Sequence, residues 1–111
     1  ALFRLIAENP NVCQEILRTL LDMPELTVIE VHAQQLIKSL HREVILDALC
    51  VVEDGSYANI EMQKSSGNDD IARTRFHASA ITAQRTPKGT AFKDVPNVTI
   101  LYITEIESSD M

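Results

Sequence analysis

The sequence predicts a mixed α/β layer fold with its elements in the order α-β-β-β-α-β. Three observations predict it: an apolar stripe at helical spacing early in the chain, a strand–turn–strand pattern with Asp-Gly at its tip in the middle, and an almost wholly apolar run near the end.

The first helix is expected to start at Asn9-Pro10, with Asn as N-cap and Pro at the first helical position. Val12, Cys13, Ile16, Leu17, Leu20 and Leu21 then recur along one face, and Pro24 is expected to close the helix. Residues 1–7 read as a short helical turn before it. The β-branched residues of segment 27–31 predict a short strand, and residues 32–42 fit neither period. The stretch VILDALCVV (residues 44–52), the turn Glu53-Asp54-Gly55 and residues 57–64 form a β-hairpin. Asn68, Asp69 or Asp70 is placed to cap a helix running to about residue 85, with Ala72, Phe76, Ala80 and Ala83 as its apolar face. Pro87, Gly89 and Pro96 mark a loop, and residues 98–103, apolar at nearly every position, read as an internal strand.

The chain has 111 residues, enough for one domain with a real core, and its 45% apolar and 23% charged content is that of a globular protein. No apolar run approaches the roughly 20 residues of a membrane span, so no membrane association and a cytoplasmic location are expected. The chain opens at Ala1 inside an apolar-periodic segment and reads as a processed chain or a piece of something longer. Cys13 and Cys50 form no CxxC motif and are expected as buried, reduced thiols. His32, His41 and His77 have no zinc-like spacing. The net charge of −6 argues against nucleic-acid binding, yet residues 71–93 carry Arg73, Arg75, Arg85, Lys88 and Lys93 and no acid. Such a segment either meets a phosphate backbone or forms a solvated basic face.

Asp47 lies among apolar residues on both sides, where an isolated carboxylate loses its hydration. Its possible partner is Glu61 on the next strand, and the turn decides whether the two meet. A two-residue loop, Asp54-Gly55, sets Asp47 opposite Met62 and separates the carboxylates. A three-residue loop with Gly55 left-handed in a bulge pairs Val52 with Ser56, Leu49 with Asn59 and Asp47 with Glu61. The second register gathers Asp47, Asn59, Glu61 and Gln63 on one face and leaves Leu46, Ala48, Cys50, Ile60 and Met62 on the other, so it is the expected one. Cβ atoms of such a pair lie roughly 5 Å apart. Two carboxylates at that spacing repel, and a hard divalent cation such as Mg²⁺ removes the conflict. An aspartate bonded to a backbone amide, or to Arg73 or Arg75, satisfies the same pattern without a metal.

The aspartate in an apolar strand, the hairpin and then Glu61-Met62-Gln63 resemble the PD-(D/E)XK nuclease pattern. More closely, HREVILDALCVVEDGSYANIEMQK and RTRFHASAITAQRTPKGTAFKDVPNVTILYITEI resemble the PD-(D/E)XK nuclease family transposases, also called recombination-promoting nucleases. The resemblance covers residues 41–106 and, more weakly, the helix near Glu15. It implies a restriction-endonuclease-like core, a mixed central sheet flanked by helices, with residues 1–111 as a single nuclease-like core domain of a longer protein. It implies a DNA endonuclease linked to transposition or recombination, with DNA as partner, a homodimer as a possible assembly, and Mg²⁺ or Mn²⁺ as cofactor. Asp47 and Glu61 would be the metal ligands, helped by the Met62 carbonyl, and Gln63 would stand in the catalytic place of the superfamily lysine. Glutamine can hydrogen-bond a water or a phosphate oxygen but brings no charge. Leu46 replaces the proline of the pattern, and Lys64 points to the opposite face. Glu15 is a candidate auxiliary carboxylate, or else a solvent-facing helix residue. Arg73, Arg75, His77, Gln84 and Lys88 are candidate DNA contacts, or else partners for nearby acids. The other functional classes open to the sequence are a catalytically inactive nuclease-like domain that binds DNA or protein, and an oligomerisation domain on the same scaffold.

Overall fold

A computed structural model describes residues 9–38, 43–63 and 70–104, with the side chains of Ile45, Gln63 and Thr104 outside the described set. The predicted turn at residues 1–7, Lys64 and the capping candidates Asn68 and Asp69 also lie outside it. Helix α1 spans Pro10–Leu20, strand β1 Val28–Lys38, β2 Glu43–Val52, β3 Tyr57–Gln63, helix α2 Asp70–Gln84 and strand β4 Val98–Thr104, with one 3₁₀ turn at Phe92–Asp94. The order is the α-β-β-β-α-β of a restriction-endonuclease-like α/β fold. The four described strands lie in the order β1-β2-β3-β4, antiparallel except for the parallel β3–β4 pair. None of the described helices is long and apolar enough to cross a membrane.

α1 starts as expected: the Asn9 side chain accepts from the Asn11 N–H at 3.0 Å and Pro10 opens the helix. It ends before Pro24 is reached. Asp22 turns left-handed (φ 53), and the Met23 N–H donates to the Arg18 carbonyl at 3.0 Å, a Schellman arrangement that stops the helix itself. Arg18 Nε then donates to the Leu26 carbonyl at 2.7 Å, and the Val28 N–H to Gln14 Oε1 at 3.0 Å, so the helix is tied to the start of β1. β1 is longer than the expected 27–31 segment. His32-Ala33-Gln34-Gln35 shows no alternation, but its backbone pairs with β2 as far as Lys38↔Glu43. Pairing to a neighbour overrides weak local preference.

The hairpin adopts the three-residue loop. Val51 pairs with Tyr57, Leu49 with Asn59 and Ala48 with Ile60. The Val52 N–H donates to the Ser56 carbonyl at 3.0 Å, the Gly55 N–H to the Val52 carbonyl at 2.9 Å, and Gly55 sits at φ 91. Asp54 Oδ1 accepts from both the Ser56 N–H (2.9 Å) and hydroxyl (2.6 Å), which hold its carboxyl below the ordinary carboxylate range. A Cβ added at Gly55 would meet nothing within 4 Å. Gly55→Ala is therefore expected to cost about 1–2 kcal/mol from backbone conformation alone, measurable by urea denaturation.

The core has two parts. Cys13, Leu17, Val28, Ala48, Cys50, Val52, Ala58 and Ile60 pack between α1 and one face of the sheet. Both cysteines are buried there without a disulfide between them, and the contact with Cys13, together with burial, pushes the Cys50 thiol well up. Ile37, Val44, Leu46, Leu49, Ala80 and Ile81 form the second cluster, which includes α2. Leu46 was expected with Ala48 and Cys50; it packs with Leu49 instead. Strict alternation therefore breaks between Leu46 and Ala48. The break coincides with an irregularity in β1, where Gln34 is left-handed (φ 52) between the pairs Ala33↔Ala48 and Gln35↔Leu46. Asp47 occupies the position across from this strained residue.

Candidate active site

β3 is the central element of the site. Its position between β2 and β4 buries Asn59 completely and leaves Glu61 only 2% exposed. Both residues face away from the α1 side, because their neighbours Ala58 and Ile60 fill the α1 cluster. Asn59 Nδ2 donates to Glu61 Oε1 at 2.9 Å. His77 Nδ1, reaching down from α2, contacts the same oxygen. An ionised carboxylate oxygen can only accept, so this geometry calls for the His77 tautomer with hydrogen on Nδ1.

Asp47 approaches from β2. The regular β2–β3 pairing ends at Ala48↔Ile60, the pair before Asp47 and Glu61. There the Asp47 side chain takes over from the backbone: Oδ2 accepts from the Met62 N–H at 2.9 Å. Burial raises the Asp47 carboxyl above its ordinary value of 3.8; the Met62 bond offsets part of this, the charge of nearby Glu61 adds to it, and His77 opposes it. The two carboxylates thus converge on one end of the hairpin and are felt by one another.

The raised value has a direct consequence for stability. Between the ordinary value and the raised one, the folded chain binds more protons than the unfolded chain, so stability falls as pH rises through that window. Asp47→Asn keeps an acceptor for Met62 and removes the charge. In EDTA at neutral pH it is expected to melt above the parent, by no more than about 1 kcal/mol because the carboxyl is partly exposed, and the difference should vanish as pH falls below the window.

The other predicted site residues fall in different places. Glu15 is exposed on α1, on the opposite face of the sheet from Glu61, and pairs with Arg18 at 3.5 Å; the structure does not bring it to the carboxylates. Met62 is partly buried beside Asp47, and of Gln63 only the backbone, paired with Thr104, is described. His77 turns its ring to Glu61 and is 14% exposed at the side chain, so a phosphate contact through Nδ1 is not what the geometry provides. Arg73 is partly buried near Tyr102, whose hydroxyl donates to Asp70 at 3.0 Å and ties β4 to the start of α2. Arg75, Gln84 and Lys88 are exposed.

The expected apolar face of α2 is displaced. Ala80 and Ile81 are its buried residues, Ala72 and Ala83 are exposed, and Phe76 is 39% exposed. The helix is rotated so that His77 meets Glu61 while Ala80 and Ile81 pack on Val44, Leu46 and Leu49. Asn59 is the participant that sequence reasoning left without a role, although its place two residues before Glu61 on one strand face was visible.

Among the described residues, no group of three or more His, Cys, Asp and Glu side chains is arranged to hold a metal ion. Zinc-type ligation needs such a group. A pair of carboxylates suits a hard cation that keeps several waters. The donor set therefore fits Mg²⁺ or Mn²⁺. A surface depression lined by Met23, Leu26, Val52 and Asp54 lies at the hairpin tip and contains neither carboxylate.

The element order and strand pairing are those of a restriction-endonuclease-like α/β protein. The chain belongs to the PD-(D/E)XK nuclease family transposases, whose family model matches residues 2–111. Neither the curated proteins nor the solved structures gave a match to it.

Proposed function

We propose that the protein is a metal-dependent DNA endonuclease that hydrolyses phosphodiester bonds in transposition or recombination. The observation that carries this reading is the convergence of Asp47 and Glu61, two carboxylates on neighbouring strands within Coulombic reach of each other, in a member of a nuclease family. Membership gives the nuclease relationship; the DNA substrate, the cation and the individual roles are inferred from the paired carboxylates and the exposed cations.

Asp47 and Glu61 would hold the cation, with the Met62 carbonyl as a further ligand. When bound, a divalent cation supplies Lewis-acid activation of water and neutralises charge on the phosphate oxygens. The protein's own contribution is orientation. The Met62 amide fixes Asp47, and Asn59 and His77 fix Glu61. Gln63 would align the attacking water by hydrogen bonding, without the charge a lysine would bring. Arg75 and Lys88, both exposed within an acid-free segment, would meet the phosphate backbone, with Arg73 and Gln84 beside them. Closely placed cations offset the overall charge of −6 only locally, so binding should weaken steeply with salt.

The test is incubation of supercoiled plasmid with the purified chain in Mg²⁺ or Mn²⁺, and again in EDTA. Open-circular and linear products are expected only with the cation. Plasmid that stays supercoiled under every condition contradicts the endonuclease reading. It would favour the second one, a catalytically silent nuclease-like domain that binds DNA or protein, for which Gln63 in place of lysine is the supporting observation.

A further inference from the structure

Glu61 Oε1 receives two donors from two different elements. Asn59 Nδ2 reaches it along β3 at 2.9 Å, and His77 Nδ1 reaches it from α2. A carboxylate held this way on one oxygen cannot rotate freely.

Packing does not account for Asn59. It is fully buried, it pairs with the buried Leu49, and its carbonyl oxygen has no hydrogen-bond partner among the described residues. A leucine would occupy a similar volume with no unpaired acceptor, and buried unpaired polar atoms destabilise a fold. The amide thus works against the core it sits in, and what it touches is Glu61. His77 tells the same story from the helix. On α2, Ala72 is exposed and Phe76 is 39% exposed, while the imidazole of His77 is turned inward.

We infer that Asn59 and His77 are positioning residues that clamp the Glu61 carboxylate in one orientation for a divalent cation. The inference rests on the reading of Asp47 and Glu61 as cation ligands, and it adds that the affinity of the site is set by a buried amide and an imidazole that do not themselves bind the ion. Partners that orient metal ligands typically control affinity by about 10–100-fold.

The experiment is a titration of the melting temperature with Mg²⁺, which gives an apparent binding midpoint without reference to cleavage. Asn59→Leu and His77→Phe are each expected to raise the midpoint about tenfold or more, and His77→Gln, which keeps an N–H donor, should recover most of the loss. In EDTA, Asn59→Leu should melt close to the parent, because the lost bond and the lost unpaired carbonyl offset each other. Should Asn59→Leu fail to fold, the comparison of His77→Phe with His77→Gln decides alone. Midpoints within about twofold of the parent in the clamp variants, with Glu61→Gln unresponsive, would overturn the clamp and leave the cation site standing. A Glu61→Gln chain that responds to Mg²⁺ like the parent would overturn both.

Discussion

Alanine at Asp47 or at Glu61 is expected to lower Mg²⁺-dependent nicking of supercoiled plasmid by more than about a hundredfold. Each substitution removes one of the two side-chain anions that converge at the end of the hairpin, and one remaining carboxylate is a poor site for a strongly hydrated cation. The alanine variants carry a second effect that must be separated from the first. Asp47 also accepts from the Met62 N–H, and Glu61 accepts from Asn59 and His77, so truncation leaves buried donors unpaired. Asp47→Asn and Glu61→Gln resolve this. Both keep an oxygen acceptor of the same reach and lose only the charge. They are expected to stay folded and to nick nearly as poorly as the alanine variants. Cleavage at the parent rate by Asp47→Asn would mean that Asp47 serves only to hold the Met62 amide.

Leu17→Ala is expected to cost about 2–5 kcal/mol, while Leu20→Ala costs little. The two residues lie three apart on α1 and look alike in the apolar stripe. In the fold Leu17 is fully buried against Cys13, Ala48 and Ile60, whereas Leu20 is 57% exposed at the last residue of the helix. Truncating Leu17 opens a cavity between helix and sheet. For a domain whose total stability lies in the usual range of about 5–15 kcal/mol, that is a large share. The melting temperature should fall by about 10 °C or more for Leu17→Ala. Equal effects at the two positions would mean that α1 docks on the sheet in a different rotation.

The features legible in the sequence were those set by local chemistry. Asn9-Pro10 fixes the start of α1 through a side-chain cap and a preset φ. Glu53-Asp54-Gly55 fixes the hairpin register, because only a left-handed glycine after the turn sorts Ala48, Cys50 and Ile60 onto one side; the pairing Leu49↔Asn59 follows from it. The order of elements follows from periodicity. What the sequence hid depends on contacts between distant segments. β1 runs to Lys38 because β2 is there to pair with it, and Ala33-Gln34-Gln35 has no strand pattern of its own. Leu46 changes sides because the pleat breaks opposite a left-handed Gln34, which no local signal announces.

The candidate site divides along the same line. Asn59 and Glu61 could be placed on one side of β3 by counting residues from Gly55, whereas Asp47 stands where the alternation of β2 breaks. The inward turn of His77 could not, since it depends on how α2 rotates over the sheet. The alanine stripe on α2 points to a different rotation, with His77 on a polar stripe beside Arg73 and Gln84. Glu15 is the single carboxylate of α1, and the docking of α1 on the opposite face separates it from the pair.

The convergence of Asp47 and Glu61 on a divalent cation is tested most directly by calorimetric titration of Mn²⁺ into the purified chain and into the double variant Asp47→Asn/Glu61→Gln. Saturable binding heat in the parent and none in the double variant is the predicted result. Indistinguishable heats from the two proteins would contradict it.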